Sequence, residues 1–218
     1  MLISVYNNVQ VKLFGKDYTD ADVRAKVGCL IEAPGCYPNY SVWNNMMLQA
    51  TNLSIKNPEE EVVKALKMVR MEGAASNKYK NCSLGMKQRL GIAVALVGNP
   101  DFLILDEPIN GLDPQGIIEL RELILKLNRE FQITVLISSH ILDELSRLAT
   151  HYGFIDKGHL VKEISADELE NVCRKCVFLE VTSTAALARV LDAEGIEYEI
   201  LSDHTANVYV RFNLSNLV

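Results

Sequence analysis

The stretch SLGMKQRLGIAVALVGNPDFLILDEP, residues 83–108, decides the fold. Leu90, Ala93, Val94 and Val97 recur at three- and four-residue spacing, which predicts a helix over residues 85–98 with Ser83 at its cap. Asn99-Pro100-Asp101 breaks it. Residues 102–105 are uniformly apolar, as in a strand buried on both faces of a parallel sheet. That strand ends on two adjacent carboxylates, Asp106 and Glu107.

Working outward, residues 27–31 and 133–138 read as two more buried strands, and residues 117–131 as an amphipathic helix. Strands alternating with helices imply an α/β doubly wound parallel sheet, with active residues at the carboxyl ends of its strands. Asp106-Glu107 and Ser138-Ser139-His140 occupy such ends. Upstream, the Pro- and Gly-containing stretch 32–41 is a loop. Ser41 is placed to cap a helix carrying Val42, Met46, Met47 and Ala50. Asn57-Pro58 followed by three glutamates starts another helix. Residues 9–17 suggest a strand and a turn, and residues 20–26 a short helix. A short helix follows His140, and residues 152–162 form a hairpin turning at Lys157-Gly158. Beyond residue 163 the texture changes to helix, strand, helix and two strands, a small α+β appendage whose end, NLSNLV, resembles the start of a further helix. The expected organisation is therefore residues 1–163, with a helical subdomain at about 41–98, and residues 164–218.

Composition bounds the function. The chain has 218 residues, 49% hydrophobic, with net charge −6 and mean hydropathy +0.07. No basic stripe offsets the acidity, which argues against a nucleic-acid partner. No run approaches the ~20 apolar residues of a membrane span. The first residues lack the basic and apolar regions of a signal peptide. The five cysteines are scattered, as in a reduced cytosolic protein. Cys173-x-x-Cys176 has no second pair and is not read as a zinc site. His151, His159 and His204 read as surface residues, and Trp43 as a packing residue.

The chemistry concentrates in four places. A carboxylate at a strand tip, here Asp106, can hold Mg²⁺, and its neighbour Glu107 can orient or deprotonate a water. Ser83-x-Gly85 at a helix start offers a hydroxyl and free N–H groups to an anion. Asn110-Gly111-Leu112-Asp113 turns directly after the acids. His140, beside two carboxylates, can hydrogen-bond a terminal phosphate. The set resembles the ATP-binding cassette (ABC) ATPases, which share a P-loop NTPase-like fold. Ser83–Met86 is similar to the family's signature motif, with Leu84 and Met86 replacing its usual glycine and glutamine. Residues 102–106 are similar to the Walker B strand, Asn110–Asp113 to the D-loop and His140 to the switch histidine. Glu32 stands where the Q-loop normally has glutamine.

The resemblance implies that Glu107 and His140 are catalytic, that Asp106 and Glu32 ligate Mg²⁺, and that Ser83, Gly85, Asp113 and Glu32 contact ATP. It implies a second ATP-binding subunit whose nucleotide Ser83 and Gly85 complete. It also implies transmembrane permease subunits and a cytoplasmic position at the inner face of the cell membrane. IEAPGCYPNYSVWNN, residues 31–45, is similar to transporter ATPases of the bacitracin and lantibiotic self-protection type, so export is the expected work.

One part is missing. Phosphates are normally held by Gly-x₄-Gly-Lys-Ser/Thr. Gly15-Lys16 is the lone Gly-Lys pair, with Gln10 and Asp17 in the wrong places, so it reads as a turn. The expectation is an N-terminally incomplete cassette, a truncated or partial form that binds ATP poorly by itself. Its apolar strand faces are expected to be uncovered, and Tyr6 is a candidate stand-in for the adenine-stacking aromatic. The competing expectation is a degenerate, non-hydrolysing interaction cassette that lends only its signature motif.

Overall fold

A computed structural model describes residues 11–172 and 176–209. The chain divides into two compact units, residues 1–148 and 149–218. The division falls ahead of the hairpin that the sequence reading grouped with the first domain. Tyr6, Cys173 and the NLSNLV end lie outside the described residues.

Among the described residues the first unit starts with a hairpin of two-residue strands, β1 (Lys12–Leu13) and β2 (Lys16–Asp17), turning at Phe14-Gly15. Gly15-Lys16 is thus part of a hairpin, as its neighbours implied. A short helix, α1 (Ala21–Arg24), then leads into β3 (Val27–Ile31). Three helices follow: α2 (Val42–Asn52), α3 (Pro58–Met68) and α4 (Leu84–Leu96). Next come β4 (Phe102–Asp106), α5 (Pro114–Phe131), β5 (Thr134–Ser138) and α6 (Leu142–Leu145). The strands form one parallel sheet in the order β3-β4-β5.

Local chemistry sets the helix starts. The Ser41 side chain accepts from Asn44 N, Ser83 from Met86 N and Asp113 from Gly116 N, each satisfying a backbone donor that the first turn leaves unpaired. Asn57 holds the cap position of α3 without capping it through its side chain. Pro58 and three first-turn glutamates, Glu59, Glu60 and Glu61, favour that start instead. The buried stripe of α2 is Val42, Asn45, Met46 and Ala50, so Asn45 replaces the expected Met47, which packs at the edge.

The core is one cluster joining these helices to a single sheet face. Leu30, Leu103 and Leu105 meet Leu90, Ile92 and Ala93 of α4 and Leu120, Ile124 and Leu127 of α5. Trp43 packs against it. Of the two expectations, burial on both faces and an uncovered apolar face, the second holds: the strands are buried on one face. Cys29, Ile31 and Leu136 are exposed on the other, Leu136 by 56%, and Phe102 and Ile104 are half-buried there. The pairing Cys29–Ile104–Leu136 runs straight across the three strands and makes that face continuous. Among the described residues the helices therefore cover one side, in place of a doubly wound arrangement.

The second unit begins with an antiparallel hairpin, β6 (His151–Asp156) and β7 (His159–Ser165). Lys157 and Gly158, both with positive φ, make its two-residue turn. A further helix, α7 (Ala166–Val172), precedes β8 (Cys176–Glu180), α8 (Thr184–Glu194), β9 (Glu197–Ile200) and β10 (Thr205–Tyr209). The sheet order is β8-β10-β9. His151, His159 and His204 are exposed, as expected.

Candidate functional site

The first cluster lies at the carboxyl tips of β4 and β5. Parallel register pairs Asp106 with Ser138. Ser138 Oγ donates to Asp106 Oδ1 at 2.6 Å and accepts from Glu107 N at 3.0 Å. The Ser138 carbonyl accepts from the same Glu107 N–H at 3.2 Å. Glu107 needs this grip, because its φ of 47° is left-handed and strained for a residue with a side chain. The turn swings the Glu107 carboxylate to His140, whose Nδ1 lies 3.1 and 3.0 Å from its two oxygens. A carboxylate only accepts, so the bonded Nδ1 carries the proton. Nε2 is left to act as an acceptor in the neutral ring or a donor in the protonated one. The pair faces solvent, with His140 66% and Glu107 28% exposed. The structure thus brings together Asp106, Glu107 and His140. It adds a role for Ser138, which the sequence places at a strand tip without assigning it a partner: the β4–β5 register puts its hydroxyl beside Asp106.

The second cluster lies where α4 and α5 begin. Ser83, Gly85 and Asp113 line a pocket of about 540 Å³, which the Arg89–Glu119 ion pair also lines. Gln115 Nε2 donates to Glu119 Oε1 at 3.0 Å and holds that carboxylate. Ser83 and Asp113 cap their helices, so two positive helix ends point into this region. A Cβ added at Gly85 would meet only Leu112 Cδ2, at 3.9 Å. The bareness of Gly85 is not demanded by its own chain; it leaves open space in the pocket. Leu84, the departure from the signature pattern, also lines it and is exposed. Asp106, Glu107 and His140 do not line this pocket.

Glu32 joins neither cluster. It follows β3 with φ of 57°, its side chain is exposed, and its carbonyl accepts from Gln88 Nε2 of α4 at 3.4 Å. Ile31 pairs with Asp106, which places Glu32 at the neighbouring strand tip. Yet among the described residues no three Asp, Glu, His or Cys side chains converge as a metal site. Gln88 is buried and, among the described residues, its Oε1 has no partner. Asn45 is a further residue the sequence reading missed. Its Oδ1 accepts from Tyr37 N at 2.7 Å and its Nδ2 donates to Ser41 O at 3.0 Å, which fastens the loop after β3 to α2. A polar residue within an apolar helical stripe was the available signal.

The residues fit one side of a Mg-nucleotide: Asp106 is a hydrogen-bonded carboxylate at a strand tip, next to the Glu107–His140 pair. The phosphate cradle Gly-x₄-Gly-Lys-Ser/Thr does not occur in these 218 residues. No helix among the described residues is long and apolar enough to cross a membrane.

Residues 3–110 match the sequence profile of the ABC transporter family. Among known proteins, the chain is 40% identical over 185 residues to the bacitracin transport ATP-binding protein BcrA of Enterococcus faecalis, covering 84% of this chain and 60% of that one. It is 44% identical over 158 residues to the lantibiotic transport ATP-binding protein SrtF of Streptococcus pyogenes, covering 72% and 67%. The chain spans less than two thirds of the length of the BcrA proteins it matches, 60% in E. faecalis and 66% in Bacillus licheniformis. In fold it is similar to cbiO1 of Clostridium perfringens, part of the ABC transporter complex cbiONQ, with TM-score 0.66 at 23% identity over 84% of this chain and 71% of that one. It is also similar to the ATP-binding cassette MJ0796, whose dimeric post-hydrolysis structure holds ADP and Pi, with TM-score 0.61 at 24% identity over 72% and 73%. The strand-tip acids, the signature-type helix start and the parallel sheet between them thus have one common setting, and the chain belongs to the ABC transporter family, among its ATP-binding cassettes.

Proposed function

We propose that this chain serves as an ATP-binding subunit of an ABC exporter and contributes to ATP hydrolysis that drives partner membrane subunits. The observation that carries the reading is the pair of clusters: Asp106, Glu107, Ser138 and His140 at the strand tips, and Ser83, Gly85 and Asp113 around a separate open pocket. Asp106 would hold Mg²⁺, with Glu32 at the adjacent tip as a second candidate. When bound, the ion neutralises phosphate charge. Glu107 takes the proton of an attacking water or orients it, and His140 holds the Glu107 carboxylate through Nδ1 while presenting Nε2 to a terminal phosphate. Ser83 and Gly85 face the nucleotide of a second ATP-binding subunit, the hydroxyl and bare backbone acting as anion donors. The transported substrate belongs to the peptide-antibiotic class, a reading supported by the likeness to bacitracin and lantibiotic transport proteins. The chain then works in the cytoplasm at the inner membrane face, held there by permease subunits.

The test pairs this chain with a relative's cassette that has an intact phosphate loop. Pairing is expected to raise the relative's ATPase rate, and Ser83→Ala in this chain to abolish the gain. No gain from the unmodified chain would refute the reading. A gain that survives Glu107→Gln here but not Ser83→Ala would favour the second reading, a non-hydrolysing partner that lends only its signature motif. The specific support for that alternative is Glu32, exposed at the strand tip beside Asp106 in place of the family's usual glutamine.

A further inference from the structure

A second groove lies away from both clusters, between α3 and the carboxyl end of α5, with a volume of about 480 Å³. Its apolar part comes from Val63, Met68 and Phe131. Val63 and Phe131 are 39% and 40% exposed, although the neighbouring Val62 and Leu127 are buried completely. Around them stand Lys64, Lys67 and Lys126, against one lining carboxylate, Glu60. The lining itself thus holds three cations to one anion, with Glu61 and Glu130 just outside it, in a chain of net charge −6.

The lysines are weakly committed within the chain. Lys64 bonds Asn99, which in turn donates to Glu61 at 2.6 Å. Lys126 meets Glu130 at 3.8 Å, a spacing of one helical turn that contributes little. Among the described residues the Lys67 ammonium has no hydrogen-bond or ion-pair partner. Lysine stems flank the apolar side chains while their heads reach water, so the groove offers an apolar socket ringed by positive charge.

We infer that this groove between α3 and α5 is a docking site for an acidic protein segment that carries one bulky apolar side chain. Charge complementarity selects the acids, and the exposed Val63 and Phe131, with the half-buried Met68 between the helices, select the anchor. A concave site of this size takes one or two side chains and not a membrane surface. The apolar lining and the lack of arginine argue against a phosphate backbone.

The test uses the full 218-residue chain and a fluorescent peptide of glutamates around a single phenylalanine, read by anisotropy. Binding is expected, weaker in high salt and weaker when the phenylalanine is replaced by alanine. Lys67→Glu combined with Lys126→Glu should weaken it about tenfold, from two pairs worth ~0.5–1 kcal/mol each. Lys67→Gln, a milder exposed change, should weaken it less. Circular dichroism checks that each variant is folded. The inference is overturned if the wild-type chain does not bind the peptide, if the double variant binds it equally well, or if the chain prefers phosphatidylserine vesicles or duplex DNA.

Discussion

Ser83 performs two tasks with different parts of one hydroxyl, and a pair of substitutions separates them. Its oxygen accepts from Met86 N at 3.3 Å and so caps α4. Its proton is left to donate to an anion in the proposed composite site. Ser83→Ala removes both functions. Loss of an exposed cap costs about 0.5–1 kcal/mol, the lower half of the usual range because the bond is long. For a chain of this size that lowers Tm by about 2–4 °C or less. Ser83→Asp keeps an acceptor for Met86 N and adds a negative charge at a positive helix end, worth about 0.3–1 kcal/mol, so its Tm should equal or exceed that of the wild type. It cannot donate when ionised, and it repels phosphate. Both variants should lose the ATPase gain in the mixed assembly, by about 10²-fold if the hydroxyl acts as one transition-state donor. Calorimetric melting and steady-state ATPase assays measure the two effects separately. A Ser83→Asp chain that keeps full stimulation refutes the anion-donor role, and a Ser83→Asp chain as destabilised as Ser83→Ala refutes the cap argument.

Three further outcomes follow from the geometry. Ser138→Ala removes a donor to Asp106 and one of two acceptors of Glu107 N, and should cost about 1–2 kcal/mol in denaturant unfolding. Ser138→Thr should restore most of it, and equal stability of the alanine and wild-type chains would contradict the bridging role. Gly28→Ala drives a Cβ into the Ala95 carbonyl of α4 and to 2.7 Å from Leu103 Cδ2. Because backbone must move, we expect a loss of about 3 kcal/mol or more, and a Tm unchanged by this variant would disprove the close strand–helix packing. In the second unit, Ser165 N and Ser165 Oγ donate to Glu168, holding its carboxyl below the ordinary value. A lowered carboxyl stabilises fully above the ordinary glutamate range and loses that contribution as pH falls through the folded value. Glu168→Gln should therefore flatten the acid limb of a helicity titration, and an unaltered limb would count against it.

The sequence made legible what is local. Caps at Ser41 and Ser83 sit where the side chains reach their own helix, and the strand-tip residues follow from short apolar runs. Burial was less legible, because it depends on what lies opposite. The run Phe102-Leu103-Ile104-Leu105 taken alone reads as buried on both faces, yet only Leu103 and Leu105 meet helices, in line with the expectation of an uncovered face. The partners of Ser138 and Gln88 were illegible for a related reason. Their partners, Asp106 and the Glu32 carbonyl, are 32 and 56 residues away, and tertiary register alone brings them together.

The left-handed turn at Glu107 also has a consequence in time. Its amide is held wholly by Ser138, on β5, which is an edge strand of the described sheet. Edge strands open at a fraction of the global unfolding free energy. Each opening of β5 releases that amide, removes the support of a strained φ and lets the carboxylate leave His140. The persistence of the aligned carboxylate is therefore set by local fraying of one strand, and the hydrogen-exchange rate of the Glu107 amide is its clock.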